Sequence, residues 1–158
     1  RLVDSLYLIS EPGRELAAEK FASHLYQEQT SDLINFVKDW SLKILQTPEL
    51  FFLFQDNTRG CISVSGPIKY HQQTSLLHGT IDRLVDSGDS VLLINFLVGN
   101  NCHANTPKAT QTFMRNIAIK ASLAKLLFPS KEIASAILWA DEQKLQSLSN
   151  DMLEKCLS

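Results

Sequence analysis

Most of the features that announce a function are scarce in this chain. There are three cysteines in 158 residues, Cys61, Cys102 and Cys156, an odd number set far apart. A small disulfide-stapled domain normally shows an even, closely spaced set, so we expect free thiols in a reducing, intracellular compartment, cytoplasmic or nuclear. No apolar run approaches the roughly 18 residues that a membrane-spanning helix needs, and no basic, apolar and small-residue signal pattern opens the chain. Charge of one sign is missing too: the net charge is −2, too small to force a nucleic-acid or membrane reading. The chain starts at Arg1 rather than at Met, and is read as a piece of a larger protein.

Catalytic signatures are equally thin. Gly60 and Gly66 bracket Cys-Ile-Ser-Val-Ser, but no lysine follows at phosphate-loop spacing, and Ser63 and Ser65 do not sit in a G-x-S-x-G elbow. His71 and His78 would share a helix face, yet two imidazoles make a poor zinc site when structural zinc wants four ligands. Cys102 adjoins His103, although neighbours in sequence rarely aim at each other. Cys61 follows Arg59 by two residues, where adventitious oxidation is expected rather than function. Carboxylates are spread along the chain with no evident pair. No cofactor is expected, and no enzymatic activity.

What the chain does have is apolar content of 44% with 20% charge, ordinary for a globular domain. At this length it can bury about two-thirds of its unfolded surface. It is also punctuated. Thr47-Pro48-Glu49 reads as a helix start with proline at the first helical position and a hydroxyl to cap it, and Thr106-Pro107 repeats the pattern. Ser31-Asp32, Ser130-Lys131, Gly66-Pro67, Gly88-Asp89 and Pro12-Gly13 add further starts, placing helices near residues 14, 31, 48, 67, 89, 107 and 131. Alternation of apolar and polar residues is confined to Cys61-Ile62-Ser63-Val64, and residues 56–66 are expected to form a surface loop.

The stretch TPELFFLFQDN, residues 47–57, packs five large apolar residues together at Leu50–Phe54. As a helix it would be apolar on nearly every side and would have to be covered on nearly every side. Phe52 is therefore expected in the core. The same argument applies to residues 91–98, VLLINFLV. Farther along, Phe113, Met114, Ile117, Ala121, Ala124 and Phe128 share one helical face, and Ile119, Leu123, Leu126 and Leu127 a second. These observations predict a single all-α domain over residues 1–158, a stacked array of about seven to eight helices. It would be either an α-solenoid or a compact helical bundle.

The segment TIDRLVDSGDSVLLINFLVGNN, residues 80–101, followed by ATQTFMRNIAI, residues 109–119, resembles the armadillo/HEAT type of helical repeat. The resemblance rests on an apolar helix, a Ser-Gly-Asp turn, a second apolar helix and a Met114-Arg115-Asn116-Ile117 core. It implies that Asn116 faces a concave groove and bonds the backbone of an extended peptide, and it covers about 40 residues.

Charge is polarised. The first 56 residues carry nine acids against five bases, whereas residues 90–131 hold Lys108, Arg115, Lys120, Lys125 and Lys131 with no acid. Lys108 and Arg115 lie along one line of the helix, and Lys120 and Lys125 flank its apolar face. We expect a non-enzymatic protein–protein interaction module of a scaffold or adaptor. It would bind a peptide or a partner helix, the partner an acidic or extended segment, through Lys108, Arg115, Asn116 and Lys120. The alternative is a helical nucleic-acid-binding domain using residues 108–131, although neither a helix-turn-helix pattern nor an aromatic–basic alternation is visible.

Overall fold

A computed structural model describes residues 2–25, 29–70, 73–97 and 107–157. The chain divides into two compact units, Arg1–Asp56 and Asn57–Ser158. The first is helical: α1 (Leu2–Tyr7), α2 (Glu11–Leu25), α3 (Ser31–Gln46) and a 3-10 helix at Pro48–Phe54. The second is built on a sheet. Strands β1 (Thr58–Tyr70), β2 (Gln73–Asp86) and β3 (Ser90–Leu97) precede α4 (Pro107–Leu127), and β4 (Glu132–Trp139), β5 (Lys144–Leu148) and α5 (Asn150–Lys155) follow it.

In the helical unit, α1, α2 and α3 contact one another. Thr30 stands outside the helical region and accepts a hydrogen bond from the Leu33 N–H, which satisfies one orphan donor at the start of α3. The five residues between α2 and α3 suit two neighbouring helices joined by a short connection. On α2 the buried side chains are Ala18 and Ala22, one turn apart; on α3 they are Trp40, Ser41, Ile44 and Leu45. Ser41 meets its burial by donating to the Val37 carbonyl at 2.7 Å.

The sheet runs in the order β1-β2-β3-β4-β5. All pairs are antiparallel except β3 with β4, whose parallel register places Asn95 opposite Ile137 and Leu93 opposite Ser135. Parallel neighbours need a long crossover, and α4 supplies it. One core cluster gathers Ile81, Leu84, Val91 and Leu93 from the sheet with Leu123 and Ala124 from α4. A second gathers Ile117, Ala118, Ile137, Leu148 and Leu153.

The all-α expectation is overturned by this five-stranded sheet, and with it the helical-repeat reading and the armadillo/HEAT resemblance. Residues 80–86 are the end of β2, residues 90–97 are β3, and Ser-Gly-Asp is a turn between antiparallel strands rather than between helices. Gly88 adopts φ 84° in that turn, a left-handed conformation suited to glycine. Its N–H bonds the Asp86 carboxylate at 3.0 Å. The near-continuous apolar run of β3 belongs to a central strand with buried residues at successive positions Leu93, Ile94 and Asn95. Such a run has no period that separates it from a buried helix. The expected surface loop at 56–66 is largely β1. Its alternation continues through Ile62, Val64, Gly66 and Ile68 on one face, with Ser63, Ser65, Pro67 and Lys69 exposed on the other. Gly66-Pro67 reads as a helix start in sequence, yet an edge strand also tolerates a proline, whose missing N–H need not join a ladder.

Candidate functional site

Two features stand out, one in each unit. In the sheet unit, the β2–β3 ladder pairs Asp86↔Val91 through Arg83↔Ile94. Beyond that register the Asp82 carboxylate takes over, its Oδ2 accepting the Phe96 N–H at 2.9 Å. On the next turn of contacts α4 lays Lys120 across the sheet. The stem of Lys120 passes so close to Gly79 of β2 that a Cβ there would sit 3.1 Å from Lys120 Cγ and would require the lysine stem to shift by a few tenths of an ångström. The Lys120 Nζ then donates to Asn95 Oδ1 at 2.8 Å.

The electrostatics of this cluster follow from its burial. Desolvation pushes the Lys120 ammonium below its ordinary pKa of 10.5, and the Asp82 charge opposes that fall. Asn95 is 1% exposed, and its Nδ2 has no hydrogen-bond partner among the described residues. Ser135, on the neighbouring strand, is 2% exposed with its Oγ in the same condition. Lys120 and Asn95 are thus hydrogen-bonded between helix and sheet, and the nearby Asp82 charge, itself bonded to the Phe96 N–H, completes a polar knot. Among the described residues no group of three or more His, Cys, Asp or Glu side chains could hold a metal ion.

The residues singled out in sequence fall in different settings. Lys108 lies on the first turn of α4, with its side chain outside the described residues. Asn116 is exposed, Arg115 half-buried and Lys120 half-buried in the knot. Lys125 is exposed, while Lys131 forms an ion pair with Asp86 at 2.6 Å and lies 5.8 Å from the centroid of the Phe128 ring. Lys120 and Lys131 are therefore engaged inside the unit. The Lys131 contact, reinforced by the Gly88 N–H, holds the Asp86 carboxyl below its ordinary value. Cys102 and His103, and likewise His71, lie outside the described residues. His78 is exposed on β2, and Cys61 and Cys156 form no disulfide. Asp82 and Asn95 escaped sequence reading because both sit in stretches taken for helices, where no pairing of one with the other is suggested.

The second feature is apolar. Of the twelve exposed large hydrophobic residues among the described residues, eight lie in the helical unit: Tyr7, Leu8, Leu16, Phe21, Leu25, Leu33, Phe36 and Phe51. Phe21 and Leu25 close α2, and Leu33 and Phe36 open α3, on either side of the same connection. The 3-10 helix divides its apolar run unequally: Leu50, Leu53 and Phe54 are buried, Phe52 is half-buried and Phe51 is 51% exposed. Phe54 stacks on Tyr7 with ring centroids 5.5 Å apart and planes inclined by 31°. These rings line a cleft of about 380 Å³ that also includes Glu11, Arg14 and Phe51. A second cleft, of about 410 Å³, shares Glu11 and Arg14 and continues past Glu15, Asp39 and Lys43.

No protein-family model matches the chain, and no curated protein matches it. A solved structure described as "Crystal structure of SSO0001" is similar at 10% identity with a TM-score of 0.39. The match covers 87% of this chain and 66% of that one. Similarity at that level bears on neither mechanism nor partner.

Proposed function

We propose that the chain is a non-enzymatic protein-binding module of a scaffold or adaptor, which takes a peptide or a partner helix. The observation that carries this reading is the concentration of exposed large apolar side chains in the helical unit, which holds eight of the twelve found among the described residues. Clustered apolar exposure marks interaction surfaces in soluble proteins, and aromatic residues are the usual anchors of such contacts. In the polar knot, Lys120 and Asp82 are engaged within the unit, by Asn95 Oδ1 and by the Phe96 N–H.

The test is site-specific photocrosslinking of the full chain in native extract. A photoreactive residue at Phe36 is expected to yield discrete protein adducts, while the same residue at exposed His78 yields none. Equal labelling from both positions, or adducts made only with nucleic acid, would overturn the proposal. The nucleic-acid alternative makes a separate prediction: phosphate contacts weaken steeply with salt, so an oligonucleotide complex through Arg115 and Lys125 would dissolve between low and physiological ionic strength.

A further inference from the structure

The paired clefts of the helical unit have a chemistry of their own. The floor of the first is aromatic, with Tyr7, Phe51 and Phe54. Its volume of about 380 Å³ falls within the range of sites that engulf a side chain or a small ligand, about 300–1,000 Å³. Phe51, half-exposed on a short 3-10 helix, is presented to whatever enters.

Charge then selects the visitor. Along the two clefts the acids are Glu11, Glu15 and Asp39, and the bases are Arg14 and Lys43. Arg14 is tethered, since its Nε donates to the Ile9 carbonyl at 2.9 Å. The unit around the clefts has the same sign: five bases less nine acids gives a formal charge of −4 for residues 1–56. Field lines over such a surface draw cations to it.

Resting on the protein-binding reading above, we infer that the two clefts that share Glu11 and Arg14, one lined by Tyr7, Phe51 and Phe54 and the other by Glu15 and Asp39, bind a basic peptide. Such a peptide inserts an aromatic or aliphatic anchor beside Phe51 and sets lysine or arginine against the acidic rim. The partner's charge is thus opposite to that expected from residues 108–131. An aromatic floor serves both halves of the ligand, because ring faces attract cations as well as apolar groups.

Panning of a random twelve-residue phage-displayed library against the immobilised full chain tests this, followed by anisotropy measurements on a synthetic peptide of the enriched consensus. The expected consensus has an apolar anchor within two positions of lysine or arginine. Phe51→Ala weakens the peptide by at least about tenfold, as loss of an aromatic anchor does. Glu11→Lys combined with Glu15→Lys weakens it about tenfold at low salt and flattens its salt dependence. All of these side chains are exposed, so each variant should keep the parental melting temperature, and Glu142→Lys in the sheet unit serves as a binding-neutral control. An acidic or uncharged consensus, or tighter binding by the Glu11→Lys, Glu15→Lys variant, overturns the inference. Binding lost in Phe21→Ser, Phe36→Ser but unchanged in the cleft variants overturns it too, while leaving the protein-binding reading in place. Failure of any peptide to enrich removes both.

Discussion

Replacing Lys120 with methionine tests the polar knot most directly. Methionine keeps the stem against Gly79 and deletes the ammonium, so Asn95 Oδ1 loses its donor at a position 1% exposed. A hydrogen bond to a charged group contributes about 1.5–3 kcal/mol, and a buried acceptor left unmade costs about 1–3 kcal/mol. Relief of the ammonium's own desolvation offsets part of that loss, since Lys120 is only half-buried. We expect a net loss of about 1–2 kcal/mol, equivalent to roughly 2–8 °C in melting temperature for a chain of this size. Asn95→Leu removes the acceptor and the unpaired Nδ2 together, so the double variant should be more stable than the two single losses predict, with a coupling of about 0.5–3 kcal/mol.

The pH dependence has a definite sign. The folded state holds the Lys120 proton less tightly than the unfolded state does. Between the folded pKa and 10.5 the unfolded chain binds more protons, so this group's contribution to stability rises with pH through that window and levels off above it. Denaturant titrations at pH 7 and pH 10 on parent and Lys120→Met read both effects. A neutral Lys120→Met, an additive cycle with Asn95→Leu, or an identical pH trend in parent and variant would refute the account.

Three other outcomes are expected. Asp86 has a folded pKa below 3.8 because Lys131 and the Gly88 N–H stabilise its charge. Its contribution is therefore present above pH 3.8 and lost as the pH falls through the folded value, so Lys131→Met should flatten the acid limb of a stability-versus-pH curve. Leu53 is fully buried whereas Phe51 is half-exposed; Leu53→Ala should cost about 2–5 kcal/mol and Phe51→Ala under about 1 kcal/mol, read by thermal melts. Replacing Cys61 and Cys156 with serine should leave a folded chain of near-parental melting temperature, and loss of folding only under oxidising conditions would contradict that.

Capping chemistry marks α3 at Ser31 and α4 at Pro107 correctly, but the same kind of signal at Gly66-Pro67, Gly88-Asp89 and Ser130-Lys131 falls within β1 or just before β3 and β4. Strands were not legible, for two separate reasons. β3 is buried at consecutive positions, so period-two alternation is erased and only an apolar run remains. β1 and β2 do alternate, but glycine and proline at 66 and 67 break the pattern into pieces too short to recognise, and the polar face of the hairpin reads as loop. The ends of the sheet's chemistry were hidden by the same error. Lys120 is visible as a cation beside an apolar helix face, but its acceptor lies 25 residues away on β3, whose apolar run suits a buried helix equally well. Exposure of Phe51 against burial of its neighbours was equally illegible, because five apolar residues in a row give no indication of which one faces water.

The two borders of the sheet bear on how the chain behaves when crowded. An open strand border is a template on which a second chain can polymerise by backbone pairing. β1, at one border, spans 13 residues, long enough to be dangerous. It is locally distorted at Cys61, where φ is 51° and no pair forms between Gly60↔Arg83 and Ile62↔Ile81, although the register is the same on both sides. Farther along come Pro67, which has no N–H to offer, and the exposed Lys69. The opposite border, β5, is five residues long and opens on the exposed Lys144. A chain with both borders spoiled in this way is expected to resist fibrillar stacking, and a variant with Pro67→Val and Lys69→Thr should be the first to seed it.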